Sequence, residues 1–237
     1  MFVADKRLEI LKQFDTPSIT NVVATYPEKD YCLGLYDPWQ ESWYTNQKAK
    51  VMYPELGPVT GYAITCTYGL PDQHYQRLSF PDVLRTISAL NEPVVLVVKQ
   101  NLPKRIKNKN GLLGGNMMTA LKSVGVVGVI SDGPSRDIDE VRPLGMQYML
   151  SGVCPGHGKW SIKSINTPVK VFDMAVSPGE IIHMDENGAV KFPASVLDDV
   201  IKNAQNLRII EEKRQAQMRR TQDVNKIIDI MAGLYDD

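Results

Sequence analysis

The sequence predicts an α/β domain in which a central sheet or barrel is flanked by helices. Three observations carry this expectation. Two short β-branched blocks, VVLVVK at 94–99 and VVGVIS at 126–131, read as buried strands. Segments with helical spacing alternate with them, and a β-α-β-α-β order favours a partly parallel sheet. The stretch 165–193 then changes to strand-length apolar runs broken by turns at SPG and DENG, as short antiparallel strands require.

From the N-terminal side, Leu8, Leu11 and Phe14 recur at helical spacing. Asp15-Thr16-Pro17 reads as a restart, with Asp15 as N-cap and Pro17 in the first turn. Ile19, Val22, Val23 and Tyr26 continue that second helix on one face. Residues 27–57 are irregular, punctuated by Pro27, Gly34, Pro38, Pro54 and Gly57. The aromatics there (Tyr31, Tyr36, Trp39, Trp43, Tyr44) fit a loop folded over the core or a subunit contact better than base stacking. VTGYAITCTY at 59–68 alternates like a strand, and 80–90 is a helix closed before Pro93. Met117, Ala120, Leu121 and Val124 mark a helix ended by Gly125. A short helix spans 138–144, and MQYMLSGV supplies a third strand of the parallel set. From Ala194 the chain is polar and helical. The expected layout is one α/β domain over 1–215 with a helical C-terminal extension over 216–237, of the kind that packs on a neighbouring subunit.

Composition narrows the function. The 237 residues carry 27 Lys+Arg against 27 Asp+Glu, which excludes bulk attraction to nucleic acid or an anionic membrane. Cys32, Cys66 and Cys154 are too few and too scattered for a disulfide framework or a zinc site and read as reduced thiols. The start MFVADKRLEILKQF lacks the apolar core of a signal peptide, and no run of 18 apolar residues occurs. The expectation is a soluble, cytoplasmic protein with a small-molecule substrate and neither nucleic acid nor membrane as partner.

Chemistry concentrates in two loops that leave neighbouring strands. Gly114-Gly115-Asn116 opens a helix, so its amides and the helix dipole suit a carboxylate or phosphate. The pattern is neither a dinucleotide fingerprint nor a Walker loop; its bland reading is a tight turn. Asp132-Gly133-Pro134-Ser135-Arg136-Asp137 follows the next strand. Arg136 offers a planar fork for a carboxylate or enolate, and Asp137 offers hard oxygens for a divalent cation. A capped helix start with a surface ion pair is the alternative. Lys99, Lys104, Arg105, Lys107 and Lys109 form either a solvated connector or an anion-attracting rim. His157, between glycines, could face a site or solvent; His74 and His183 carry no partner signal. No arrangement for a Ser or Cys nucleophile stands out.

GLLGGNMMTALKSVGVVGVISDGPSRDIDEVRPLGMQYMLSGV resembles the RraA-like family: the regulators of ribonuclease activity A and the 4-hydroxy-4-methyl-2-oxoglutarate aldolases. FDTPSITNVV, GPVTGYAITC and NTPVKVFDMAVSPGEIIHMDENGAVKFP match as well, so the likeness covers roughly 8–215. It implies an α/β fold of the swivelling phosphohistidine-domain kind and homotrimers or homohexamers with sites at subunit interfaces. It further implies a divalent metal, Mg²⁺ or Mn²⁺, that binds a 2-oxo acid. Carried over, Asp137 is the metal ligand, Arg136 contacts the substrate carbonyl or enolate, and the amides of Gly114, Gly115, Asn116 and Met117 bind the carboxylate. Asp132 and His157 are weaker candidates, as are Glu211 and Glu212 reaching in from an adjacent subunit. One departure stands out. The aldolases carry Asp or Glu twenty-one positions before the Arg, and this chain has Gly115 there.

The leading expectation is a metal-dependent lyase, an aldolase or decarboxylase, that cleaves a C–C bond of a small 2-oxo or 4-hydroxy-2-oxo acid. A non-catalytic regulator is the second reading, with Gly115 as its motive. A divergent metal–enolate enzyme acting on another substrate is the third.

Overall fold

The computed structural model describes residues 5–26, 28–74 and 77–234. Pro27, one of the expected punctuation points, lies outside them. The chain begins with α1 (Lys6–Leu11) and α2 (Thr16–Val23). Asp15 caps α2 as its spacing predicts, accepting from Ser18 N at 2.9 Å. After β1 (Lys50–Val51) come the long β2 (Val59–Gly69), α3 (Phe80–Leu90) and β3 (Val94–Asn101). The basic stretch contains α4 (Lys104–Lys107). Then follow α5 (Gly115–Ser123), β4 (Val126–Ser131), α6 (Ile138–Val141) and β5 (Gln147–Leu150). The helix expected over 138–144 divides, because Pro143 lacks an N–H, and continues as a 3-10 turn at Arg142–Leu144. Short strands fill the next stretch: β6 (Ser161–Ile165), β7 (Val169–Val171), β8 (Met174–Val176), β9 (Ile181–Asp185) and β10 (Gly188–Phe192). α7 (Leu197–Met218) and α8 (Val224–Met231) complete the described chain.

The main sheet runs β1-β5-β4-β3-β2-β9-β10. β2 through β5 are parallel, as the β-α-β order predicts. β2 pairs with β9 along its first half and with β6 along its second. The segment before β1 reaches the opposite edge: Thr45 N donates to Ala189 O at 2.9 Å and Lys191 N to Trp43 O at 3.1 Å. One stretch of chain thus links β10 to β5 and brings the sheet close to a closed barrel. Alternation along β3 sorts the core. Val95 and Val97 face the barrel interior with Ile130, Met149 and Ile182, whereas Val94, Leu96 and Val98 meet α3 and α5 through Ile87, Met118 and Leu121. A third cluster joins α1, α2 and α7 to β9 and β10 through Leu8, Ile19, Val22, Phe192 and Leu207. Trp43 belongs to it, stacked on Tyr36; the half-buried Tyr31, Tyr36 and Tyr44 pack against it, and Trp39 is exposed.

Among the described residues no helix is long and apolar enough to cross a membrane.

Candidate functional site

The carboxyl ends of β3 and β4 lie side by side, with Val98 opposite Ser131. The loops leaving them converge where open α/β sheets collect ligands. The second loop is firmly held. Ser135 N donates to Gly152 O at 3.1 Å, and Cys154 N donates to Ser135 O at 2.9 Å. Beneath it, the buried Gln100 amide donates to Ser131 Oγ and Pro134 O, both at 3.1 Å. Asn110 Nδ2 donates to Gln100 Oε1 at 3.1 Å, which ties the basic stretch to the same network.

Gly114 is the N-cap of α5 and brings no side chain to cap it. The amides of Asn116 and Met117 fall in a first turn that offers them no intrahelical acceptor. Gly115 N donates to Asp137 Oδ2 at 2.9 Å, so the two loops are joined through the carboxylate proposed as metal ligand. Asp137 is itself the N-cap of α6, with φ of 58°, a conformation a non-glycine residue adopts at a cost. Arg136 Nε stands 3.5 Å from Asp137 Oδ2, in an ion pair without a hydrogen bond, and is buried with no hydrogen-bond partner. A buried guanidinium N–H left in that state has a hydrogen bond still to make, with water or a ligand.

Side chains from the second loop and α6 occupy the space beside both glycines. A Cβ on Gly114 would overlap Asp137 Oδ2 and come within 2.8 Å of Arg136 Nε. A Cβ on Gly115 would overlap Glu140 Oε2. The carboxylate of Glu140, on the first turn of α6, therefore fills the space that a side chain at 115 would take. Reading the residues in linear order missed Glu140. The available signal was its spacing from Asp137, three residues on, which puts both carboxylates on one side of a helical turn.

The remaining candidates are placed elsewhere or already engaged. Asp132, its side chain only 6% exposed, accepts from Gln100 N at 2.7 Å and pairs with Lys99 at 2.7 Å and Lys107 at 2.8 Å. Two cations of the basic stretch are thereby used structurally. Arg105 and Lys109 instead line an open cavity of about 610 Å³ with Cys154 and His157. His157 is exposed, its Nδ1 beside Gly158 O at 3.0 Å. Glu211 and Glu212 border a separate cavity with Phe14, Asp15 and Arg208. Burial, and then the neighbouring Asp15, push the Glu211 carboxyl above the ordinary range.

The oxygen donors beside Gly115 are of the hard kind that a divalent cation takes. Among the described residues no three His, Cys, Asp or Glu side chains gather as a fully protein-ligated metal would need. Two carboxylates, Asp137 and Glu140, approach Gly115 from one helix. Mg²⁺ and similar ions are commonly held by one or two carboxylates, with water and substrate completing the shell.

Comparison with known proteins gives a family match and solved structures of similar fold. A family model described as RraA-like, Aldolase/RraA, matches residues 34–191. An uncharacterised protein of Methanocaldococcus jannaschii is 31% identical over 125 residues, covering 52% of this chain and 60% of that one. A 4-hydroxy-4-methyl-2-oxoglutarate aldolase of Thermus thermophilus is 31% identical over 87 residues, covering 36% of this chain and 52% of that one. The chain thus spans between half and three fifths of these two relatives. A Streptomyces coelicolor structure, described as an unusual member of the RNase ES inhibitor RraA protein family, shares the fold. Its TM-score is 0.68 at 21% identity, over 91% of this chain and 98% of that one. An uncharacterised Pseudomonas syringae protein gives 0.72 at 17% identity, over 96% and 95%.

Proposed function

Because the chain belongs to the RraA-like family, which includes 4-hydroxy-4-methyl-2-oxoglutarate aldolases and RNase regulators, we propose that it is a divalent-metal-dependent carbon–carbon lyase. Its substrate is a small 2-oxo or 4-hydroxy-2-oxo acid, and the reaction is aldol cleavage or decarboxylation. The observation that carries this reading is the convergence of Asp137 and Glu140 on Gly115, beside the unpartnered Nε of Arg136.

Each residue has a task in this scheme. The amides of Asn116 and Met117, at the positive end of α5, hold the substrate carboxylate. Asp137 and Glu140 would hold Mg²⁺ or Mn²⁺, which when bound supplies Lewis-acid polarisation of the 2-oxo carbonyl. Arg136 directs its fork at the oxygen where negative charge grows as the C–C bond breaks, stabilising the pyruvate-like enolate that remains. Glu140 takes the place of the acidic side chain missing at 115, with a solvent-facing carboxylate in the space beside Gly115. A non-catalytic regulator is less well supported, since its motive was the loss of that carboxylate. A trimer or hexamer in which Glu211 or Glu212 of a second copy joins the site belongs to the same proposal.

The test is pyruvate release from oxaloacetate and a panel of 4-hydroxy-2-oxo acids with Mg²⁺ or Mn²⁺. Arg136→Ala and Asp137→Ala should each lower kcat/KM by about 100-fold or more. No turnover, or turnover unchanged in both variants, rejects the proposal.

A further inference from the structure

Two non-glycine residues border the site in the left-handed region: Leu113, with φ of 55°, just before Gly114, and Asp137, with φ of 58°. Such residues persist only where their surroundings over-determine them. Beside each, a buried tyrosine hydroxyl holds a main-chain carbonyl. Tyr148 OH donates to Leu113 O at 2.7 Å, and Ser135 Oγ lies on the same carbonyl at 3.0 Å and in contact with the Tyr148 hydroxyl. Tyr53 OH donates to Ile138 O, immediately after Asp137, at 2.6 Å.

The two tyrosines form one unit. Tyr148 is on β5 and Tyr53 follows β1, which pairs with β5; Met52 N donates to Tyr148 O at 2.8 Å. Their rings lie 6.5 Å apart, and both side chains are fully buried. The Gln147 amide donates to Tyr53 O at 3.1 Å and Gly57 O at 3.0 Å, which fixes the segment that carries Tyr53. Burial pushes the Tyr53 hydroxyl up to about 12 and that of Tyr148 higher, so both remain protonated donors through neutral pH.

We infer that Tyr53 and Tyr148 are paired positioning residues. From inside the core, one fixes the peptide that enters the Gly114–Gly115 loop and the other the first peptide of α6, one residue past Arg136–Asp137. Together they set the spacing between the carboxylate-binding amides and the Arg136–Asp137 pair. The kinetic consequence rests on the lyase reading, whereas the structural consequence does not. Loss of the Tyr148 bond loosens the substrate-holding amides and raises KM. Loss of the Tyr53 bond loosens Asp137 and lowers kcat.

Hydrogen exchange and kinetics on the full chain separate these claims. Tyr148→Phe should speed exchange about tenfold in peptides covering 112–118, and Tyr53→Phe should do so in 137–142, while β3 and β4 exchange as in the parent. With oxaloacetate, Tyr148→Phe should mainly raise KM and Tyr53→Phe mainly lower kcat. If Tyr148→Phe fails to fold, Ser135→Ala removes the second hydroxyl on Leu113 O and should loosen the same peptides. Exchange that is unchanged at both loops, or that rises equally across the strands, overturns the inference. A parent protein that releases no pyruvate overturns the lyase reading while the exchange data still decide the clamp.

Discussion

Glu140 and Gly115 share one volume: the carboxylate of the first occupies the space where the second lacks a side chain. A glycine that looks like a lost acid in linear order is, in space, the seat of an acid supplied by the next helix. Glu140→Ala should therefore lower pyruvate release about 10- to 100-fold and weaken Mn²⁺ binding. Gly115→Asp in that background should restore part of both, since the new carboxylate enters the vacated volume. A double variant no better than Glu140→Ala would mean that Glu140 does not serve the site.

Gly114 is the more tightly constrained of the two glycines. Its added Cβ would press on the Asp137 carboxylate, which Gly115 N holds, and on Arg136, rather than on the free end of a solvent-facing side chain. Gly114→Ala should cost about 1–3 kcal/mol of stability by overpacking. Gly115→Ala should cost less, because Glu140 can swing away, yet should impair activity. Urea denaturation of the two variants checks the order.

Asp132 works for the fold rather than the chemistry. Removing its carboxylate leaves Lys99 and Lys107 without the partner they share and the Gln100 amide without its acceptor. Asp132→Ala should destabilise the protein by about 2–3 kcal/mol, the usual cost of stripping a charge-assisted network. The activity that remains below the melting transition should keep its KM.

His183 links stability to pH. It is fully buried, its Nδ1 beside Thr16 Oγ1 at 2.9 Å and its Nε2 beside Leu11 O at 3.2 Å. Burial lowers its pKa from the ordinary 6.5. Above 6.5 both folded and unfolded chains hold a neutral ring, and stability is full. As pH falls below 6.5, the unfolded chain takes up a proton that the folded chain refuses, and stability is lost. His183→Gln should start less stable at pH 8 but lose less than the parent between pH 7 and pH 5 in urea titrations.

The parallel core was legible because its strands are β-branched runs closed by Gly and Pro, and the structure places β4 on the same six residues, 126–131. Local signals also sufficed for the Asp15 cap and for α3 at Phe80–Leu90. The near-closure of the sheet was not legible, since Thr45 meets Ala189 across 144 residues with no local mark. Glu140 escaped for a related reason: the family pattern puts an acid at position 115, while folding delivers one from α6. The tyrosine hydroxyls at Leu113 and Ile138 depend on strand pairing that periodicity does not encode.

A crystal soaked with Mn²⁺ and oxalate, a mimic of the pyruvate enolate, decides whether Asp137 and Glu140 hold a metal beside the carboxylate-binding amides. An anomalous Mn²⁺ peak should lie within about 2.2 Å of carboxylate oxygens of Asp137 and Glu140. Oxalate should bridge that ion to Arg136 and to the amides of Asn116 and Met117. Mn²⁺ and oxalate bound elsewhere, or neither bound at saturating concentration, would contradict it.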